Sequence, residues 1–158
     1  MLFRSVAACS TDIVQSTRLN IPMLDHIILT VSDLPRSIAF YSKALVPLGI
    51  TQVLDYKGQN GHPDLMGFGR ENSFLFWLKG GEPSPAAVHF AFVAKSRAIV
   101  DAFYSAAMAA GAKDNISPRI RHEYHANYYA ADVLDPDGYS VEVVIKTPET
   151  GEAGPWPT

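Results

Sequence analysis

The sequence predicts an α+β fold of two βαβββ units, their strands forming a curled mixed sheet around a shared cavity with the helices outside. Two observations carry this expectation. Asp25-His26-Ile27-Ile28-Leu29 followed by Phe40-Tyr41-Ser42 returns as Val88-His89-Phe90-Ala91-Phe92 followed by Phe103-Tyr104-Ser105, at a constant offset of 63 residues (26 to 89, 40 to 103). Within each copy the apolar pattern runs at a period of two, then 3.6, then two again, the order strand, helix, three strands. The chain has 158 residues, 47% hydrophobic and 18% charged, enough for one compact domain with a real core. The expected division is an N-terminal extension at 1–22, a single domain at 23–146 made of units 23–80 and 86–146, and a C-terminal tail at 147–158.

In the first unit, residues 24–31 read as a strand, and Ser32 or Asp33 caps a helix that tolerates Pro35 in its first turn. Ile38, Tyr41 and Leu45 share one face of that helix, and Gly49 stops it. Residues 51–56, 65–69 and 73–78 are three short strands separated by turn residues. Gly80-Gly81-Glu82-Pro83-Ser84-Pro85 is the linker between the units. The second unit repeats the order with a strand at 88–94, a helix at 96–110 ended by Gly111, and strands near 120–124, 128–134 and 139–145.

Composition also excludes functions. A net charge of −3 without a basic stripe gives no reason to expect nucleic acid, so the expected partner is a small molecule. Cys9 is the only cysteine, which rules out an intrachain disulfide, and its place outside both repeats argues against thiol catalysis. The apolar stretch at 2–9 is broken by Arg4 and is too short to span a membrane, and a secretory signal wants a cleaner apolar centre. A cytoplasmic location is expected. The alternative is a mitochondrial presequence, suggested by Arg4, Arg18 and the serines around a single acid, Asp12. The tail, with Trp156 among Pro, Gly and Glu, is expected at the surface.

His26 and His89 hold the same place in the two first strands. One histidine in an apolar strand is ordinarily a satisfied core residue; two at repeat-equivalent positions suggest a shared ion. Glu142 interrupts the run Tyr139-Ser140-Val141-Glu142-Val143-Val144-Ile145, where a carboxylate needs a cation, a set of hydrogen bonds or solvent. Two histidines and a carboxylate with open positions suit a divalent metal that also binds substrate.

Leu24-Asp25-His26-Ile27, Val31-Ser32-Asp33-Leu34, the helical Phe40-Tyr41, His89, and Leu134-Asp135-Pro136-Asp137-Gly138 leading to Val141-Glu142 resemble the vicinal oxygen chelate superfamily. That group includes glyoxalase I, extradiol dioxygenases, fosfomycin-resistance thiol transferases and bleomycin-resistance proteins. The resemblance covers 23–146 and implies that His26, His89 and Glu142 hold one divalent ion: Zn, Mn, Fe, Ni or Co. Tyr124-His125 through Asn127-Tyr128-Tyr129-Ala130-Ala131 is similar to a glyoxalase-like subgroup mostly of unassigned activity. The resemblance implies a lyase or isomerase first, with extradiol-type dioxygenase, thiol transferase or non-catalytic ligand sequestration as alternatives. A homodimer is compatible with it, as is exchange of units between chains.

The departure from glyoxalase I lies in the first unit, where that enzyme usually supplies a fourth ligand, a glutamate. Matching Gly69-Arg70-Glu71-Asn72 to Asp135-Pro136-Asp137-Gly138 places Phe76 opposite that role, and a one-residue slip places Trp77 there. Neither ligates a metal. Either could hold a flat or apolar substrate by stacking. Tyr124, His125, Asn127 and Tyr128 are expected on a substrate-contacting rim. His122 and His125 face opposite sides of a strand and are not a ligand pair, and His62 with Asp64 belongs to a loop. A three-residue loop after Asp135 would put Asp132 opposite Glu142, as an outer partner, an added ligand or a general base; a two-residue loop would turn it away.

Overall fold

The computed structural model describes residues 24–147. The N-terminal extension with its presequence reading, Cys9, and nearly all of the C-terminal tail with Trp156 lie outside the described residues. The elements are β1 (Ile27–Val31), α1 (Leu34–Ala44), β2 (Gln52–Tyr56), β3 (Leu65–Arg70), β4 (Ser73–Gly80), β5 (His89–Val93), α2 (Arg97–Ala109), β6 (Lys113–Ile120), β7 (Tyr129–Leu134) and β8 (Ser140–Ile145). Both units are therefore βαβββ. Their strands form two four-stranded sheets in the orders β1-β4-β3-β2 and β5-β8-β7-β6, parallel at the first pair and antiparallel elsewhere.

Local chemistry sets the boundaries. Asp33, in extended conformation, caps α1 by accepting the Arg36 N–H at 3.0 Å, and Pro35 sits in the first turn, where no amide bond is lost. Ser96 caps α2 in the same way through the Ile99 N–H at 3.3 Å. The strand expected at 120–124 is displaced: β6 runs Lys113–Ile120, and residues 121–128 form hydrogen-bonded turns instead. Pro118 lies within β6, an edge strand with an irregular register, where a missing N–H is tolerated. Among the described residues no helix is long and apolar enough to cross a membrane.

One core serves both units. Leu29, Val31, Tyr41, Phe68, Phe76 and Leu78 from the first are continuous with Val100, Phe103, Val133, Val141 and Val143 from the second. The Phe76 ring stacks on Phe90 at 5.7 Å and meets Phe92 edge-on, so the join between units is aromatic. The helices pack on each other as well as on their own sheets. The α+β architecture of two βαβββ units is as expected, each unit contributing its own four-stranded mixed sheet and the sheets not closing on each other.

Two hairpins set the phase of the site. After β7, Asp135 donates its N–H to Tyr139 O at 3.0 Å, Gly138 donates to Asp135 O at 2.9 Å, and Gly138 takes φ 90°. This three-residue loop pairs Asp132 with Glu142 on one face. After β3 the loop has two residues, Glu71 and Asn72, both left-handed at φ 51° and 61°, with an irregularity at Phe68/Gly69. Here Gly67 lies opposite Trp77. The parallel pairs agree, since Ile28 adjoins Trp77 as Ala91, 63 residues later, adjoins Glu142. Trp77, not Phe76, thus stands where the second unit has Glu142, and Gly67 stands where it has Asp132.

The β7–β8 hairpin also ties the units together. Asp135, 3% exposed, accepts the Tyr41 hydroxyl at 2.7 Å and the N–H groups of Asp137 and Tyr139 at 2.9 and 2.8 Å. Asp137 accepts the Ser32 N–H at 3.0 Å, the Ser32 hydroxyl and the Arg36 guanidinium at 2.6 Å. The Tyr139 hydroxyl donates to Thr30 O at 2.8 Å and accepts the Ser84 N–H at 2.9 Å.

Candidate functional site

His89 opens β5 on the face away from the core, and the parallel register sets it beside Ser140, two residues before Glu142 on β8. Its Nε2 lies 3.0 Å from Glu142 Oε2, and its Nδ1 lies 2.7 Å from Ser140 Oγ. The imidazole is half exposed, while Glu142 is almost wholly buried. Tyr128 donates its hydroxyl to the other oxygen, Glu142 Oε1, at 2.9 Å. Burial first, and then this bond to a carboxylate, raise the Tyr128 phenol well above its usual range, so it remains a proton donor. Asp132, 4% exposed, accepts the Ser140 hydroxyl at 2.8 and 2.9 Å and the Asn115 amide at 2.9 Å.

The loop at 121–128 forms one wall. The Arg121 guanidinium lies 4.5 Å from the Tyr124 ring centre and bonds Glu123 at 2.9 Å. Tyr124 leans on Tyr128 at 5.1 Å, and the Lys146 ammonium lies 5.0 Å over the Tyr128 ring. Burial holds the Lys146 amine below its usual range, against the opposing pull of Glu142. Of the rim residues expected from sequence, Tyr128 reaches Glu142 and Tyr124 supports it. His125 Nδ1 instead accepts the Asn127 N–H at 3.1 Å, closing a turn of the loop, and His122 is exposed.

His26 belongs to a different surface. It precedes β1, its Nδ1 lies 2.7 Å from Asp25 Oδ1, and its side chain is half exposed. It lines a cavity of about 270 Å³ with Asp25, Ile28, Tyr56, His62, Leu65, Phe74 and Trp77, all from the first unit. Trp77 donates its indole N–H to Phe74 O at 3.0 Å and lies across Gly67 so closely that a Cβ there would sit 2.7 Å from the ring. Phe76, the other candidate for stacking, is fully buried in the core against Tyr41, Phe68, Phe90 and Phe92. Alternation along β4 turns adjacent residues to opposite faces. Asp64 bonds Lys57 and the Gly58 N–H within its loop, whereas His62 reaches the cavity edge-on to Tyr56.

Among the described residues, no three His, Cys, Asp or Glu side chains stand together as a metal-holding group. The structure gathers His89, Glu142 and Asp132 on one face and leaves His26 apart from them. The His89 and Glu142 donor atoms nonetheless fit two adjacent positions on one ion: two bonds of about 2.1 Å at a right angle put the donors about 3.0 Å apart. Sequence reading missed Ser140, Asn115 and Gly67. Only the parallel register marks Ser140, by setting it next to His89.

The comparisons agree with this architecture. A comparison with curated proteins gives no significant match. Among solved structures, a glyoxalase/bleomycin resistance protein from Albidiferax ferrireducens is 26% identical, with a TM-score of 0.63 over 77% of this chain and 97% of that one. A glyoxalase/bleomycin resistance protein/dioxygenase family enzyme from Burkholderia phytofirmans is 18% identical, with a TM-score of 0.58 over 78% and 98%. A mutant fosfomycin resistance protein, FosX, from Listeria monocytogenes, solved with Mn(II) and a dihydroxypropylphosphonic acid, is 19% identical, with a TM-score of 0.57 over 80% and 92%. The family model named Glyoxalase/Bleomycin resistance protein/Dioxygenase superfamily matches residues 23–143, nearly the whole of both units. The chain belongs to that superfamily.

Proposed function

We propose that the protein is a metal-dependent enzyme of glyoxalase type acting on a small oxygen-bearing substrate, a lyase or isomerase in its chemistry. The observation that carries this reading is the approach of His89 Nε2 to buried Glu142 Oε2 at 3.0 Å, with the remaining polar atoms of both side chains already engaged. His89 and Glu142 would hold the ion, and a divalent ion there supplies Lewis-acid polarisation of a substrate oxygen. Mn(II) in the FosX relative supports a hard divalent ion of this kind. Tyr128 keeps Glu142 oriented, and the loop at 121–128 shields the carboxylate from water.

The third ligand is His26, supplied by the first unit of a second copy. Its Nδ1 contact with Asp25 parallels the Nδ1 contact of His89 with Ser140, so Nε2 is the ligating nitrogen of each ring. The face around it keeps Ile28, Leu54 and Tyr56 40–45% exposed, apolar area that a second copy would cover. Trp77, flat across Gly67, then gives the joined site an aromatic floor suited to a planar or apolar portion of the substrate.

Mixing two defective variants tests both parts. His26→Ala and Glu142→Gln should each fold and each lose metal, measured by metal analysis after purification without chelators and, for iron, without air. Mixed dimers should regain one native site of two, giving about one quarter of wild-type metal content after random exchange. No recovery despite demonstrated exchange would refute the shared site, and a wild-type protein that takes up no divalent ion would leave ligand sequestration as the better reading.

A further inference from the structure

β4 carries one residue more than its partner strand needs. The β3–β4 pairing sets Gly67 opposite Trp77 and Phe68 opposite Phe76, but the next pair is Gly69 with Phe74, so Leu75 is left over. Phe74 and Trp77 stand three apart, a spacing that turns side chains to opposite faces of an unbroken strand. The extra residue cancels that and sets both rings on the face of Gly67 and Gly69. Tyr56 reaches the same face from β2, since its partner Leu65 lies two residues before Gly67. In the second unit β7 and β8 keep a regular register through Leu134 and Ser140, so the displacement belongs to the first unit.

The glycines make room for the rings. Trp77 lies across Gly67, and a Cβ at Gly69 would run into Phe74 Cα at 2.9 Å. The bond from the Trp77 indole to Phe74 O spans the extra residue and fixes the two rings 6.0 Å apart, inclined at 50°. Both side chains stay only partly buried. A flat ligand needs parallel faces, whereas rings at this angle make a corner that suits a rounded group. Charge narrows the choice. Of the described residues lining the cavity of about 270 Å³, Asp25 is the one carboxylate and none is a lysine or arginine. Aromatic faces carry the negative part of the ring quadrupole and attract cations, tryptophan most strongly. We infer that this cavity is a subsite for an organic cation, an alkylated ammonium group held against Trp77, Phe74 and Tyr56 with Asp25 as its countercharge.

Rings laid over strand glycines also stabilise sheets, and that role alone accounts for Trp77 on Gly67. It does not account for the extra residue that turns Phe74 inward, or for Tyr56 at the far wall, 42% exposed. The inference deepens the function proposed above by naming a substrate class. His26 lines the same cavity, so the ammonium group and the metal-held oxygen would belong to one small molecule. The second copy would roof the cavity, and exclusion of water strengthens the attraction of a cation to a ring face.

Calorimetric titration of the metal-free, full-length protein with choline, with its uncharged carbon isostere (a dimethylbutanol) and with benzyl alcohol separates charge from shape. We expect choline to bind at least about fivefold tighter than the isostere. Trp77→Leu and Tyr56→Leu should each weaken choline by about 5- to 30-fold and the isostere by less, and Asp25→Asn should weaken choline alone. Isostere binding as tight as choline, or benzyl alcohol tighter than both, would overturn the inference, as would choline affinity unchanged in the variants or no choline binding at all. Because the titration is free of metal, it separates the two readings. Choline binding by a protein that takes up no divalent ion leaves the subsite standing and sinks the metal reading; metal uptake without a preference for choline does the reverse. If Trp77→Leu does not fold, Tyr56→Leu, at an exposed position, decides alone.

Discussion

Tyr41→Phe removes one oxygen atom from the core and tests how the site's hairpin is held. The Tyr41 hydroxyl donates to Asp135 Oδ2 at 2.7 Å, and Asp135 Oδ1 takes the N–H groups of Asp137 and Tyr139. Phenylalanine keeps the ring contacts with Phe40, Phe68 and Phe76 and creates almost no cavity, so the effect isolates the hydrogen bond. A bond to a buried charged acceptor contributes about 1.5–3 kcal/mol. Burial already holds the Asp135 carboxyl above its usual range, against the lowering effect of Tyr41 and the two amides, and losing Tyr41 raises it further. A carboxyl raised on folding favours the folded state below its unfolded pKa of about 3.9, and that contribution is lost as pH climbs through the folded value. The variant's deficit is therefore largest at neutral pH and shrinks toward pH 4. Urea denaturation followed by circular dichroism from pH 8 to pH 4 should show a midpoint lowered by about 1 M at neutral pH, for a slope of about 2 kcal/mol/M. A deficit below about 0.5 kcal/mol, or one independent of pH, would refute the claim that the hydroxyl stabilises a buried charge.

Gly67→Ala should lift the Trp77 indole from its bed, since the new Cβ would meet three ring carbons at 2.7–2.9 Å. We expect a loss of about 1–2 kcal/mol and a red-shifted Trp77 emission, measured against Trp77→Phe to remove the Trp156 background; unchanged emission and stability would show that the ring does not rest there. Asp137→Asn removes the charge that receives Ser32 and Arg36, and with Arg36 half exposed the cost is about 1–2 kcal/mol. Amide exchange at Ser32 should accelerate in that variant, and protection equal to wild type would show that the tie contributes nothing.

The repeat made the βαβββ order legible because strand and helix periods are local properties of sequence. Loop length made the Asp132–Glu142 register legible, since Pro136 and Gly138 suit a three-residue turn. The same logic left Phe76 and Trp77 undecided, because Glu71 and Asn72 adopt a left-handed pair that no glycine announces. The separation of His26 from His89 was not legible at all. It depends on how the helices and the Phe76–Phe90 contact dock one unit on the other, and side-chain periodicity within a strand carries no information about that. Ser140 was overlooked for a related reason: a serine in a β-branched run has no distinguishing pattern until its parallel neighbour is known.

The ties from the β7–β8 hairpin to β1 and α1 join residues 94 to 109 positions apart in the chain. During synthesis at about 5–20 residues per second, Thr30, Ser32, Arg36 and Tyr41 are made roughly 5–20 seconds before Asp135, Asp137 and Tyr139. For that interval the first unit carries an unclosed helix entrance and a tyrosine hydroxyl with no acceptor to follow it into the core. A nascent chain arrested in the linker would hold these groups open to solvent and to chaperones, and closure would come only with the hairpin beside Glu142. The segment that sets Asp132 opposite Glu142 is thus also the latch that completes the earlier-made half.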